Sequence, residues 1–225
     1  MSRVKAGAVL IGLALGFAAA GWTQGMRGGM GRQAPGLFGA FKPVLGAGAQ
    51  YQLILKDRTL HYVFAIVGQE DVEGSTGYWL ETRTESPDTP GEMLTKQLMV
   101  LGGDRPQIKR RIIQQPGRPP MEMPMGMMPG MEQREPSTSG GDTRPGEKVS
   151  TETITVPAGT FECEHYHRLG PQGPVDIWLS SNISPYGTVK MVSGEMTMLL
   201  EKILSNETSH IQGEPQKMNF PMPRP

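Results

Sequence analysis

The chain has 225 residues, and Lys plus Arg equals Asp plus Glu at 22 each, so no global field draws it to nucleic acid or to anionic lipid. Its one cysteine, Cys163, excludes an internal disulfide, and the fold must be held together by burial alone.

Arg3 and Lys5 precede an apolar run from Ala6 to Ala20, followed by polar, glycine-rich sequence from Gly21. A charged start, roughly 15 apolar residues and small residues before a cut after Ala20 describe a secretory signal peptide over residues 1–20, whereas a spanning helix usually needs ~20 apolar residues. An uncleaved membrane anchor is the alternative. No cysteine stands in the run or directly after it to accept a lipid, so the mature chain is expected to be a soluble, monomeric, periplasmic or secreted protein. Residues 21–48 read as a Gly-rich linker in which Leu37, Phe38, Phe41 and Val44 offer the apolar contacts.

A β-domain over residues 49–204 follows. Tyr51–Leu55, Arg58–Val67, Gly77–Thr84 and Met93–Leu101 are apolar, β-branched or aromatic and bounded by Gly, Pro, Asp or Asn. In Gly77–Arg83, alternation puts Tyr78, Leu80 and Thr82 on one face and Trp79, Glu81 and Arg83 on the other, as in a half-buried strand. His61–Val67 is apolar on both faces, which predicts a central strand. Gln107–Gln115 is a further strand whose Arg110 and Arg111 suggest an edge or a solvated face.

The pattern then stops. Residues 116–147 hold seven prolines and six methionines, a composition that cannot bury enough apolar surface to offset its ordering entropy and reads as a disordered loop. Beyond it come strands at Lys148–Val156, Thr160–Arg168, Val175–Ser180, Gly187–Val192 and Met196–Leu204, then a loosely held tail over residues 205–225. Between the first two, Val156-Pro157-Ala158-Gly159-Thr160 is a turn, since Pro157 presets φ and Gly159 can supply a positive one. Ten strands and little helix predict an all-β fold: a curved antiparallel meander that curls into a half-barrel or barrel to cover an apolar face.

The segments VPAGTF (Val156–Phe161), DIWLS (Asp176–Ser180) and PYGTVK (Pro185–Lys190) resemble an exported bacterial family of unknown function in which VPAGTF precedes a W-x-S…P-x-G-x-V-K hairpin. That family is similar in fold to periplasmic lipoprotein carriers, curved sheets whose concave side holds acyl chains under helices. The resemblance covers the last third of the chain and rests on turn and packing residues. It implies an apolar ligand, a lipid or acyl chain, on the concave face. This chain has little helical sequence for a lid and carries the Met/Pro loop instead.

The residues expected to line or pack that face are Tyr62, Phe64, Tyr78, Leu80, Trp178 and Met191, around an apolar cavity of ~300 Å³ or more. A second constellation is Cys163, His165 and His167, spaced to share one strand face, with side chains that suit zinc or copper. A third is the run Met121, Met123, Met125, Met127, Met128 and Met131, whose thioethers suit Cu(I) or else form an adaptable apolar cover for the sheet. His61 and His210 stand alone and receive no role. G-x-S-x-G, H-E-x-x-H and G-x-x-x-x-G-K-[ST] are all missing, so hydrolase, zincin and nucleotide-binding chemistry lack their minimum residues. The expected function is non-enzymatic: binding an apolar ligand or an envelope partner without a cofactor. Copper binding through the methionines and the Cys-x-His-x-His strand is one alternative, and a structural envelope protein pairing with another chain is the other.

Overall fold

The computed structural model describes residues 39–56, 58–86, 89–102, 106–123, 145–170 and 173–217. The expected signal peptide, the expected linker up to residue 38, Met125 to Met131 and the last eight residues lie outside this set. Twelve strands form: β1 (Gly48–Leu55), β2 (Arg58–Val72), β3 (Ser75–Ser86), β4 (Thr89–Val100), β5 (Gln107–Gln114), β6 (Met121–Met123), β7 (Glu147–Val156), β8 (Gly159–Gly170), β9 (Gly173–Leu179), β10 (Thr188–Ser193), β11 (Met196–Leu204) and β12 (Gln216–Lys217). They make one sheet in the order β12-β6-β5-β4-β3-β2-β1-β11-β10-β9-β8-β7. Every pairing is antiparallel except the short parallel contact of β12 with β6. The fold is therefore the all-β meander expected of the sequence, built as two meanders that meet at β1 and β11 in the middle of the sheet.

Local chemistry explains the long β2–β3 hairpin. Glu73 (φ 53°) and Gly74 (φ 81°) both adopt positive φ, the requirement of a two-residue turn matched to strand twist. The Gly74 amide donates to Asp71 Oδ1 at 3.2 Å. This compact turn lets β2 run on to Val72, five residues past its expected end. At the β7–β8 turn Gly159 has φ 132°, and the Ala158 amide donates to the Leu200 carbonyl at 3.2 Å, which ties this hairpin end to β11.

One face of the sheet carries the main core. On β2, Leu60, Tyr62, Phe64 and Ile66 alternate into it, and Tyr51, Leu80, Ile177, Met191, Met198 and Leu200 join them from other strands. Curvature follows from one contact. Tyr186, just ahead of β10, donates its hydroxyl to Met99 Sδ on β4, although five strand steps separate β10 from β4, roughly 24 Å in a flat sheet.

The opposite face departs from expectation in three places. Alternation predicts β3 to be half-buried, yet both of its faces are covered: Trp79, Glu81 and Arg83 are all buried, Glu81 completely. The reason is the segment assigned to a loose tail, which is held against this face as far as Lys217: Ser209, His210 and Glu207 bond to Glu81 and Arg83, and the Gln216 amide donates to the Pro120 carbonyl. There Ile211 packs with Trp79, Leu98 and Ile112 in a second, smaller cluster. Strand β5 is internal rather than an edge, because Met121–Met123 of the presumed disordered loop pairs alongside it. Its Arg110 is held by Glu122, with Nε to Oε1 at 2.7 Å.

Candidate functional site

The residues expected to line a ligand face divide into two groups. Tyr62, Phe64, Leu80 and Met191 are at most 2% exposed within the main core, and Tyr78 packs against it. The Phe64 ring meets Tyr51 edge-on at 5.9 Å. Trp178 is partly buried and also packs against the core, but from the other face of its strand. Met191 pairs with Ile177 while Trp178 pairs with Lys190, so Trp178 and Met191 project from opposite faces of their strands.

The core is covered by two irregular segments, residues 39–47 and 180–187. Ile183 and Tyr186 are buried in the main cluster, Phe41 packs on it, and the Phe41 and Tyr186 rings lie 5.2 Å apart. The Lys42 amide donates to the Pro185 carbonyl at 2.8 Å, and Ser184 Oγ donates to the Lys42 carbonyl at 3.2 Å. Gly39 has φ 116°, and a Cβ there would collide with the Tyr186 carbonyl oxygen. Glycine is required for this close approach. Burial pushes the Tyr51 and Tyr186 phenols above their ordinary range, so both remain protonated hydrogen-bond donors.

Cys163, His165 and His167 are not drawn together around a common point. Cys163 is 1% exposed in the main core, its Sγ 3.7 Å from the Phe161 carbonyl, and burial pushes its thiol up to about 11. The histidines turn to carboxylates instead. His165 Nε2 and His167 Nδ1 lie 2.9 and 3.0 Å from the same Asp176 Oδ1, and His165 Nδ1 lies 3.2 Å from Glu152 Oε1. The His167 hydrogen bond, followed by that of His165, holds the Asp176 carboxyl below its usual range. His165 stacks on Trp178 at 4.4 Å, Trp178 Nε1 donates to Glu152 at 2.8 Å, and Lys190 Nζ lies 4.5 Å from the Trp178 ring centre. Among the described residues no group of three or more His, Cys, Asp or Glu is arranged to hold a metal ion. Of the six loop methionines only Met121 and Met123 are described, both partly buried on β6.

A groove of about 310 Å³ lies on the opposite face of β1–β4, with Gln50, His61, Val63, Arg83, Glu85, Glu92 and His210 around it. Alternation along β1, β2 and β3 delivers Gln50, His61, Val63, Arg83 and Glu85 to this face, and His210 reaches it from the C-terminal segment. Arg83 is 6% exposed. Its Nη2 donates to Glu207 Oε2 at 2.6 Å, its Nη1 lies 3.8 Å from Glu81 Oε1, and that Nη1 makes no hydrogen bond. Glu81 in turn accepts from Ser209 Oγ at 2.7 Å and from the His210 amide at 3.0 Å. His61 Nδ1 and Gln50 Nε2 each lie 2.9 Å from Glu201 Oε2, and His210 Nδ1 lies 3.5 Å from Glu92 Oε2.

The two histidines given no role thus share one groove. The strand pattern of β2 already set His61 on the face away from Tyr62. His210 carried no such signal, because an aperiodic segment does not reveal which surface it will cover.

No family model matches the chain, and no curated protein matches it. The VPAGTF resemblance therefore stands on its own residues. Two solved structures align with it over most of its length. A candidate exported protein with a YmcC-like fold from Bacteroides fragilis aligns over 75% of this chain and 99% of its own, at 13% identity and a TM-score of 0.35. A candidate lipoprotein from Parabacteroides distasonis aligns over 72% of this chain and 97% of its own, at 14% identity and a TM-score of 0.36. Likeness at this level transfers no ligand or partner.

Proposed function

We propose that this is a non-enzymatic, exported β-domain that binds an apolar ligand, a lipid or acyl chain, between the core face of its curved sheet and the cover formed by residues 39–47 and 180–187. The observation that carries this reading is the nature of that cover. Among the described residues, an apolar bed that includes Tyr62, Phe64, Leu80 and Met191 is overlain by two irregular segments, joined to each other by two hydrogen bonds, rather than by a second sheet or a helix. Irregular segments outside the strand ladders open at lower free energy than core strands. In the conformation described here the bed is occupied by its own side chains, so admission of a ligand requires the cover to lift, and apparent affinity falls by the fraction of molecules that are open.

Gly39→Ala tests this directly. The added methyl cannot fit beneath the Tyr186 carbonyl, and the backbone conformation costs roughly 1–3 kcal/mol for a non-glycine residue. Titration of the secreted chain with a fluorescent fatty acid should show weak binding, strengthened about tenfold or more in Gly39→Ala, with native mass spectrometry reporting one ligand per chain. If neither protein binds while both remain folded by circular dichroism, the reading is wrong.

A further inference from the structure

Two phenols are buried at the apolar bed, and only one of them has a strong acceptor. The Tyr51 hydroxyl donates to the Thr188 carbonyl at 2.9 Å. Tyr186 is 7% exposed, and among the described residues its hydroxyl has a single hydrogen-bond partner, Met99 Sδ at 3.9 Å. A thioether sulfur is a weak acceptor, so this buried donor recovers little of the cost of leaving water. Its position matters as much as its partner. Tyr186 belongs to the cover, where its ring lies 5.2 Å from that of Phe41, whereas Met99 belongs to β4 and is fixed in the sheet. Lifting the cover therefore separates the hydroxyl from a weak acceptor, without breaking a strong bond, and offers it to an oxygen arriving at the bed.

The surroundings decide the charge of that oxygen. An ionised carboxylate in an apolar site requires a cation or several donors beside it. Among the described residues the one buried basic side chain is Arg83, which lies on the opposite face and is held by Glu207, and Lys42 of the cover is exposed. A single phenol, kept protonated by burial, suits a neutral acceptor. We infer that the ligand is an acyl chain in neutral form, an ester or an amide, whose carbonyl oxygen accepts a hydrogen bond from Tyr186 in place of Met99. This rests on the acyl-chain reading above and adds to it the polar group that is recognised and the residue that selects it.

The test is displacement of the neutral apolar fluorophore N-phenyl-1-naphthylamine from the secreted full chain at pH 8 by methyl decanoate, N-methyldecanamide, decane and sodium decanoate. The ester and the amide should each bind about fivefold or more tighter than decane, the net worth of one neutral hydrogen bond, and decanoate, ionised at this pH, should bind more weakly than both. The tighter of the two carbonyl compounds identifies the natural linkage. Tyr186→Phe keeps the ring against Phe41 and removes only a poorly satisfied hydroxyl, so its melting temperature should not fall, while its affinity for the ester and the amide should drop to that for decane. The inference is overturned, with the acyl-chain reading intact, if decane or decanoate binds the parent as tightly as the ester, or if Tyr186→Phe binds the ester as the parent does. If neither the fluorophore nor any of the four compounds binds, the acyl-chain reading itself fails and takes the inference with it.

Discussion

Cys163 and Asp176 show how far a residue's chemistry depends on its surroundings. The Cys-x-His-x-His spacing was legible as a shared strand face, and the side chains do alternate in that way, but the pattern is silent on what stands opposite each one. Cys163 met the apolar core, so its thiol is both inaccessible and hard to ionise. In native buffer at pH 8 a thiol-specific reagent should leave it unlabelled, while the denatured chain labels to one equivalent. Comparable labelling rates in the two states would mean that the core around β8 is open.

Asp176 met two histidines. A carboxyl whose pKa is depressed by folding contributes stability that is present above its unfolded value, near ~3.9, and is lost as pH falls through the folded value. Asp176→Asn should therefore lower the urea midpoint at pH 7, and the gap to the parent should close in strong acid, where both states hold the proton. A gap independent of pH would show that the two imidazole contacts do not stabilise the ionised carboxylate.

Among the elements, strands with alternating or β-branched sequence were readable in place, because each carries its own period and its own turn residues. The C-terminal segment was not. Residues 205–217 are polar and aperiodic, yet they cover β3 and β4 by donating to Glu81 and by supplying Glu207 to Arg83. Polar sequence reads as solvated until a buried partner of matching chemistry is known to lie beneath it. Glu207→Ala keeps the cover but leaves Arg83 without its close partner, and should cost about 3 kcal/mol in urea unfolding, the lower end for breaking a buried ion pair. A change within about 0.5 kcal/mol, as at ordinary surface positions, would mean that the segment lies free of the sheet in solution. The short strand β6 escaped notice for a related reason: three residues of a Met/Pro-rich stretch become a strand only because β5 offers them an edge.

For the whole domain, the joining of two meanders at β1 and β11 has a consequence for stability. The main core takes side chains from β1–β4 and from β7–β11, so neither meander can complete its own core without the other. Denaturant unfolding should be a single transition, with tryptophan fluorescence and far-ultraviolet circular dichroism superimposable. Trp79 in the smaller cluster and Trp178 against the main core give the fluorescence a probe in each region. Two separated transitions would show that the meanders fold independently.

Taken alone, the amino-acid order determined the β class, ten of the strands, their principal turns and the apolar side of β2, because period, turn chemistry and hydrophobicity act over a few residues and need no distant partner. The tertiary structure decided which strand ends up beside which, that a polar C-terminal segment closes over a charged sheet face, and that His61, Arg83, Glu85, Glu92 and His210 border one groove. The last of these meetings brings His210 to residues more than a hundred positions away, and only the curvature and register of the folded sheet bring them within reach.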